Sequence, residues 1–244
     1  MLELGSRGRI GLILPSLNTV AEPEMNRMKP EGVTVHAARM PIPSDISSIE
    51  AFVRMCEEGC RNAEKAVGEL ATAKVDVYAF AFTAGSFFKG AGWDEEIARR
   101  IEISGHAPCV VTSTASVDAL KAYDVKNIAV VSPYAIANEL LKRFINQKGI
   151  EVSRMEGLTV STAQEEGRQT IETFKKLVEQ ADSPEAEAIF VSCTNFATMA
   201  GLDGLEKSLG KLIITANQAT FWAALRRMGI DDKIEGSGRL LREK

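Results

Sequence analysis

The chain has 244 residues, 45% hydrophobic and 25% charged, with a formal net charge of -4, as expected of a globular protein large enough for one substantial core or two smaller ones. Lys and Arg are scattered through a mildly acidic sequence, which leaves no electrostatic footprint for nucleic acid. No apolar run is long enough to span a membrane, and the residues after Met1 lack the apolar core of a signal peptide, so a cytoplasmic protein is expected.

The first expected strand, Gly8 to Leu14, runs into the polar turn Pro15-Ser16-Leu17-Asn18-Thr19 and a short helix near Glu22 to Met28. Val33 to Arg39 is a second strand. A serine cap at Ser47-Ser48 then opens a long helix whose Phe52, Met55, Cys56, Ala63, Val67 and Leu70 recur at helical spacing. Val75 to Ala81 is the third strand, Thr83 to Gly92 a glycine-bearing loop, and a helix runs on through Ile103. Cys109 to Thr112 is a short fourth strand, followed by a helix from Thr114 to Ala122. The pattern then restarts. Strands at Asn127 to Val131, Glu151 to Gly157, Glu187 to Val191 and Lys211 to Thr215 alternate with helices ending near Gln147, over Thr162 to Gln180, over Leu202 to Leu209 and over Gln218 to Met228.

Eight strands alternating with helices, four in each half, predict an α/β protein with parallel sheets and right-handed crossovers. Ile10 to Ser16 answers Ile128 to Tyr134 at an offset of 118 residues, and Phe82-Thr83 answers Cys193-Thr194 at 111. Two matches at nearly one offset suggest a duplication. The expectation is two pseudosymmetric lobes, 1–115 and 116–216, each a four-stranded parallel sheet flanked by helices, with a cleft between them. Residues 217–244 are expected to pack back on the N-terminal lobe.

Ligands of open α/β sheets bind outside the carboxyl ends of the strands. Those ends carry Pro15, Ser16 and Asn18; Phe82, Thr83, Ala84, Gly85 and Ser86; Tyr134; and Cys193, Thr194 and Asn195. The set is rich in hydroxyls, amides and turn N–H groups and contains no positive charge, which suits a small carboxylate or a developing enediolate. Plainer readings stand beside this one. Cys193 reads equally as a small core residue, Tyr134 as an anchor for a helix start and Asn18 as a cap. Thr83 and Ser86 are common turn formers, and Phe82 is a packing residue. The four cysteines, Cys56, Cys60, Cys109 and Cys193, include no Cys-x-x-Cys pair, and only His36 and His106 are present, so no metal site is expected. No phosphate-binding glycine motif is found.

At these residues the sequence resembles the aspartate/glutamate racemase superfamily, and within it the branch holding maleate cis-trans isomerase and arylmalonate decarboxylase. The resemblance is carried by Gly11 to Thr19, Thr83 to Gly90, Pro108 to Ala115, Val130 to Tyr134, Val191 to Thr194 and Ala216 to Trp222, in order along nearly the whole chain. It implies a two-lobed fold that needs no cofactor, with one site between the lobes and a small carboxylic acid as substrate. Family members often form dimers or larger assemblies, so a homo-oligomer is a further expectation.

Racemases of the superfamily use two cysteines, one on each substrate face. The isomerase keeps both, and one adds to the double bond. The decarboxylase keeps only the second, which protonates an enediolate. This sequence has Cys193 at the second position and Phe82 at the first. By resemblance, Thr83 and Tyr134 match hydroxyls that hold the carboxylate or enediolate, and Asn18 matches an amide that holds a substrate carboxylate. Ala84, Ser86, Thr194 and Asn195 join the carboxylate-binding set, and Pro15, Ser16, Phe82 and Gly85 the pocket. Thr194-Asn195 and Gly85 depart from the decarboxylase pattern, so pocket shape is expected to differ. The resulting expectation is a single-cysteine decarboxylase of a malonate-like acid. The alternatives are an isomerase or racemase on a small dicarboxylate, and a carboxylate-binding protein without catalysis.

Overall fold

A computed structural model describes residues 2–244. The first strand, β1 (Gly8–Pro15), is buried along nearly its whole length, as its apolar run dictates for a strand covered on both faces. It pairs in parallel with β2 (Val33–Met40) on one side and β3 (Val77–Phe80) on the other, and β4 (Cys109–Val111) completes the sheet in the order β2-β1-β3-β4. The second half repeats this arrangement. There β5 (Asn127–Ser132) lies between β6 (Glu151–Gly157) and β7 (Ala188–Val191), and β8 (Leu212–Thr215) takes the outer edge, in the order β6-β5-β7-β8. Two four-stranded parallel sheets of identical strand order are what two similar half-sequences produce when each crossover is right-handed.

The helices are α1 (Ala21–Met28), α2 (Ile49–Ala71), α3 (Thr83–Phe87), α4 (Trp93–Gly105), α5 (Thr112–Lys121) and α6 (Asn138–Gln147). They continue with α7 (Ala163–Glu166), α8 (Ile171–Ala181), α9 (Met199–Leu209), α10 (Ala216–Arg227) and α11 (Gly238–Glu243). Ser48 caps α2 by accepting from the Ala51 N–H at 3.2 Å, which explains the start of the long amphipathic run. Thr215 and Gln218 form a reciprocal capping box at the start of α10. Among the described residues no helix is long and apolar enough to cross a membrane.

Three elements differ from the sequence expectation. Residues 83–87, expected in a loop, form the short helix α3, which starts directly after β3. The expected helix Thr162 to Gln180 is two helices, α7 and α8, separated at Gly167–Thr170, where Thr170 caps α8 through the Thr173 N–H. Residues 217–244 also divide. Helix α10 packs on α5, β3 and β4 of the N-terminal half, whereas α11 packs on α9 and β8 of the C-terminal half as well as on α10.

Candidate active site

The carboxyl ends of β1, β3, β5 and β7 meet between the two sheets. Pro15, Leu17 and Asn18 follow β1; Phe82, Thr83 and Ala84 follow β3; Tyr134 follows β5; Cys193, Thr194 and Asn195 follow β7. With Ile42, Phe52, Met55, Ala163 and Glu166 they line a partly open cavity of about 30 Å³. The segments after β2 and β6 close over it. Asp45 and Thr162 form an antiparallel bridge, the Ile46 N–H donates to the Ser161 carbonyl at 3.0 Å, and the Ala163 N–H donates to that of Ser44 at 2.8 Å. A larger open groove of about 510 Å³ lies along β4, α4, α5 and α10, but it contains none of these strand-end residues. The small cavity, where the strand ends converge, is therefore the candidate site.

Cys193 is 6% exposed and has φ of +86°, a left-handed backbone that non-glycine residues rarely adopt. Such strain persists where the surroundings over-determine it, as at functional turns. Here the turn directs Sγ between two partners. The Asn195 N–H donates to Sγ at 3.3 Å, and Sγ donates to Glu166 Oε2 at 3.2 Å. Burial pushes the thiol well above its ordinary pKa, and the neighbouring Glu166 carboxyl pushes it further, so the group carries its proton at neutral pH. Burial raises the Glu166 carboxyl to about 8, against the opposing pull of the Cys193 hydrogen bond. Thiol and carboxyl thus rest as two neutral acids in contact. Among the described residues no Lys, Arg or His lines the cavity.

Residues singled out from the sequence occupy three kinds of position. Cys193, Thr83, Ala84, Tyr134, Phe82 and Pro15 line the cavity. Thr83 Oγ1 is buried with no hydrogen-bond partner, so it is the free donor or acceptor of the site. The Tyr134 hydroxyl pairs with Ser192 Oγ.

Asn18, Thr194 and Asn195 also border the cavity, but their side chains hold the framework. Asn18 Oδ1 accepts from the Val20 and Ala21 N–H groups at 2.9 Å each, and its Nδ2 donates to Thr194 Oγ1 at 3.1 Å. Thr194 Oγ1 donates in turn to the Ala81 carbonyl at 3.0 Å. Asn195 accepts from the Thr19 N–H at 3.0 Å and donates to the Ala163 carbonyl at 3.1 Å, tying the loop after β1 to the start of α7.

Ser16, Gly85 and Ser86 do not line the cavity. Ser16 is exposed, with its N–H on the Met40 carbonyl. Ser86 Oγ donates to the Thr83 carbonyl at 2.8 Å inside α3. Gly85 backs the Phe82 ring, and a Cβ there would sit 2.3 Å from Phe82 Cδ1. Gly59 on α2 meets the same ring, so two glycines make room for the phenyl group.

Glu166 was missed by the sequence reading, as were Leu17, Ile42, Phe52, Met55 and Ala163 as cavity walls. Glu166 stands among Gln164, Glu165 and Arg168 in a stretch that reads as a solvated helix face. The one local signal is Gly167. A Cβ at that position would meet Asn195 Oδ1 at 2.7 Å, so glycine lets α7 end against Asn195 and turns Glu166 inward. Behind the cysteine loop, buried Glu24 accepts from the Thr198 and Met199 N–H groups at 2.7 and 2.9 Å and from Asn217 Nδ2 at 2.7 Å. Asn217 Nδ2 also reaches the Thr194 carbonyl at 3.1 Å, which fixes the loop from behind.

Known proteins share this fold. The chain is 28% identical to a maleate isomerase of Geobacillus stearothermophilus over 97% of its own length and 98% of the relative's. It is 27% identical to an arylmalonate decarboxylase of Bordetella bronchiseptica over 66% of its length and 69% of the relative's. A solved maleate isomerase variant of Pseudomonas putida S16 with maleate superimposes with a TM-score of 0.87 at 25% identity, covering 96% of this chain and 97% of that one. The family model described as arylmalonate decarboxylase matches residues 10–241. From β1 through α11, then, the chain belongs to the arylmalonate decarboxylase family, in the branch of the aspartate/glutamate racemase superfamily that also holds maleate isomerase.

Proposed function

We propose that this protein uses the Cys193 thiol to deliver a proton to the α-carbon of a small carboxylic acid, without a cofactor, in the decarboxylation of a malonate-type substrate. The observation that carries the reading is the wall of the cavity, where one protonated thiol, Cys193, and the phenyl ring of Phe82 stand together, at what the family resemblance gives as the positions of a racemase's two thiols. The carbon–carboxylate bond breaks, its electron pair becomes an enediolate, CO2 leaves, and the Sγ proton moves to the α-carbon. Leu17, Ile42, Phe52, Met55 and Phe82 supply an apolar wall that solvates a carboxylate poorly and tolerates CO2. Thr83 Oγ1 and the first N–H groups of α3, which have no intrahelical partners, are the donors for the retained carboxylate or enediolate. A cavity of about 30 Å³ is narrow for an acid, so substrate entry is expected to widen it where the 44–46 and 161–163 segments are bridged.

A second reading is cis–trans isomerisation of a small unsaturated dicarboxylate. It is favoured by the relatives named maleate isomerase, which match nearly the whole chain, whereas the relative named decarboxylase matches 66% of it. In that route Cys193 would itself add to the alkene as thiolate, its proton first passing to a Glu166 that has given up its own. Proton NMR in D2O with an α-substituted arylmalonate and with maleate separates the two, with Cys193→Ala as the control. Loss of CO2 with one deuterium on one face supports the lyase, and maleate turning into fumarate supports the isomerase. Full turnover by Cys193→Ala would overturn both. Binding without turnover, retained in Cys193→Ala, would leave a carboxylate-binding protein.

A further inference from the structure

We propose that Glu166 is the proton store that recharges Cys193 after each turnover, an inference that rests on the proton-donor reading above. The geometry singles the residue out. Its carboxyl is buried at the end of α7, receives the Cys193 Sγ–H at 3.2 Å and lies where Gly167 lets the chain turn against Asn195. The titratable groups that face it are Cys193 from the loop after β7, Tyr134 from the loop after β5 and Cys56 from α2. None of them is a cation, so nothing nearby stabilises a permanent carboxylate. Two and four residues further on, Arg168 and Thr170 are exposed, so the chain reaches solvent soon after this carboxyl.

Proton balance supplies the need for such a group. Decarboxylation of a malonate dianion gives a monocarboxylate and CO2, and consumes one proton per turnover. The proton leaves Sγ for the α-carbon and a thiolate remains. The Glu166 carboxylic acid passes its proton to that thiolate along the existing contact and becomes a carboxylate. Solvent water beyond Gly167, where the chain becomes exposed at Arg168, then returns a proton to the carboxylate. At no stage do thiolate and carboxylate coexist, which matters where like charges about 3 Å apart with no counterion are mutually prohibitive. Isomerisation consumes no net proton, so this recharging is specific to the lyase reading.

The test is Glu166→Gln assayed by rapid quench and at steady state with an α-methyl arylmalonate. The amide keeps an acceptor for the thiol but has no proton to give. The expected result is a first turnover at the wild-type rate, one equivalent of product per site, followed by a steady state ~10²-fold slower, the low end of general-acid effects. Wild-type kcat should fall as pH rises past about 8, and the variant should lose that limb. Wild-type steady-state turnover and an unchanged pH profile in Glu166→Gln would overturn the proposal. If Cys193→Ala is the variant that keeps activity, the proton-donor reading itself fails. Infrared difference spectra of the wild-type protein decide the matter without a substrate or a folded variant. A protonated carboxyl band that titrates near pH 8 together with a shift of the S–H stretch is expected, and an S–H band unmoved by that titration would refute the pairing.

Discussion

The phenyl ring of Phe82 stands at the position that distinguishes this chain from a two-thiol enzyme, and its seat can be tested by a double-mutant cycle with Gly85→Ala. A Cβ at Gly85 would lie 2.3 Å from Phe82 Cδ1 and 2.6 Å from Cε1. Ordinary contact begins near 3.4 Å, so the ring would have to retreat by roughly 1 Å, which close-packed interiors do not permit without strain. The ring is already close-packed against Gly59 of α2, with Cε1 only 2.5 Å from where a Cβ there would stand, so it has little free space. Overpacking of this kind costs about 1–3 kcal/mol, partly offset by the better helix propensity of alanine in α3, about 1 kcal/mol. Gly85→Ala alone should therefore destabilise the protein by about 0–2 kcal/mol. In a Phe82→Ala background the clash is gone, and the same change should be neutral or stabilising by up to about 1 kcal/mol. The coupling, which is the clash itself, is therefore about 1–3 kcal/mol, within the range for residues in contact. Urea denaturation of the four proteins measures it, with constant m-values as the check that only stability has changed. An equal cost of Gly85→Ala in both backgrounds would refute the packing argument.

Further consequences concern the thiol, its carboxyl and a buried ion pair. Glu166 binds its proton more tightly in the folded protein, with a pKa of about 8, than as an ordinary carboxyl in the unfolded chain, at 4.5. The folded state therefore holds more protons between those values, so unfolding free energy should fall as pH rises through that window, by up to about 1.4 kcal/mol per pH unit. Denaturation at several pH values should show this slope flattened in Glu166→Gln, and a slope identical to wild type would count against a buried neutral carboxyl. Because Cys193 holds φ at +86°, Cys193→Gly should be more stable than Cys193→Ala by about 1 kcal/mol, despite the greater chain entropy of glycine; thermal melts that rank them the other way would show the turn to be unstrained. Lys148 Nζ lies 2.8 Å from Asp94 Oδ2, and the Asp94 side chain is fully buried. Lys148→Met leaves that carboxylate without its cation and should cost about 3–5 kcal/mol in chemical denaturation, whereas a loss under 1 kcal/mol would mean that Thr114 Oγ1 and the Gly92 N–H suffice to hold it.

The sequence alone determined the architecture, because apolar strands separated by helical crossovers leave few arrangements of a parallel sheet, and two half-sequences in register repeat the same one. It also placed Cys193, Thr83 and Tyr134 at strand ends that meet, since carboxyl ends of parallel strands face one edge of a sheet. Tertiary structure decided the rest. Asn18 read both as a ligand amide and as a cap, and the structure uses it as the cap, on the Val20 and Ala21 N–H groups. Asn195 read as a ligand amide, yet it is engaged by the Thr19 N–H and the Ala163 carbonyl, which lie far away in sequence. Gly85 and Ser86 sit one helical turn away from the cavity because residues 83–87 coil into α3 where an open loop was expected. Glu166 illustrates the limit best. Its neighbours are polar, its spacing is that of a solvated helix, and its acidity follows from burial against a thiol 27 residues further along the chain. Desolvation depends on everything packed around a group, and that surrounding exists only once the two lobes have closed on each other.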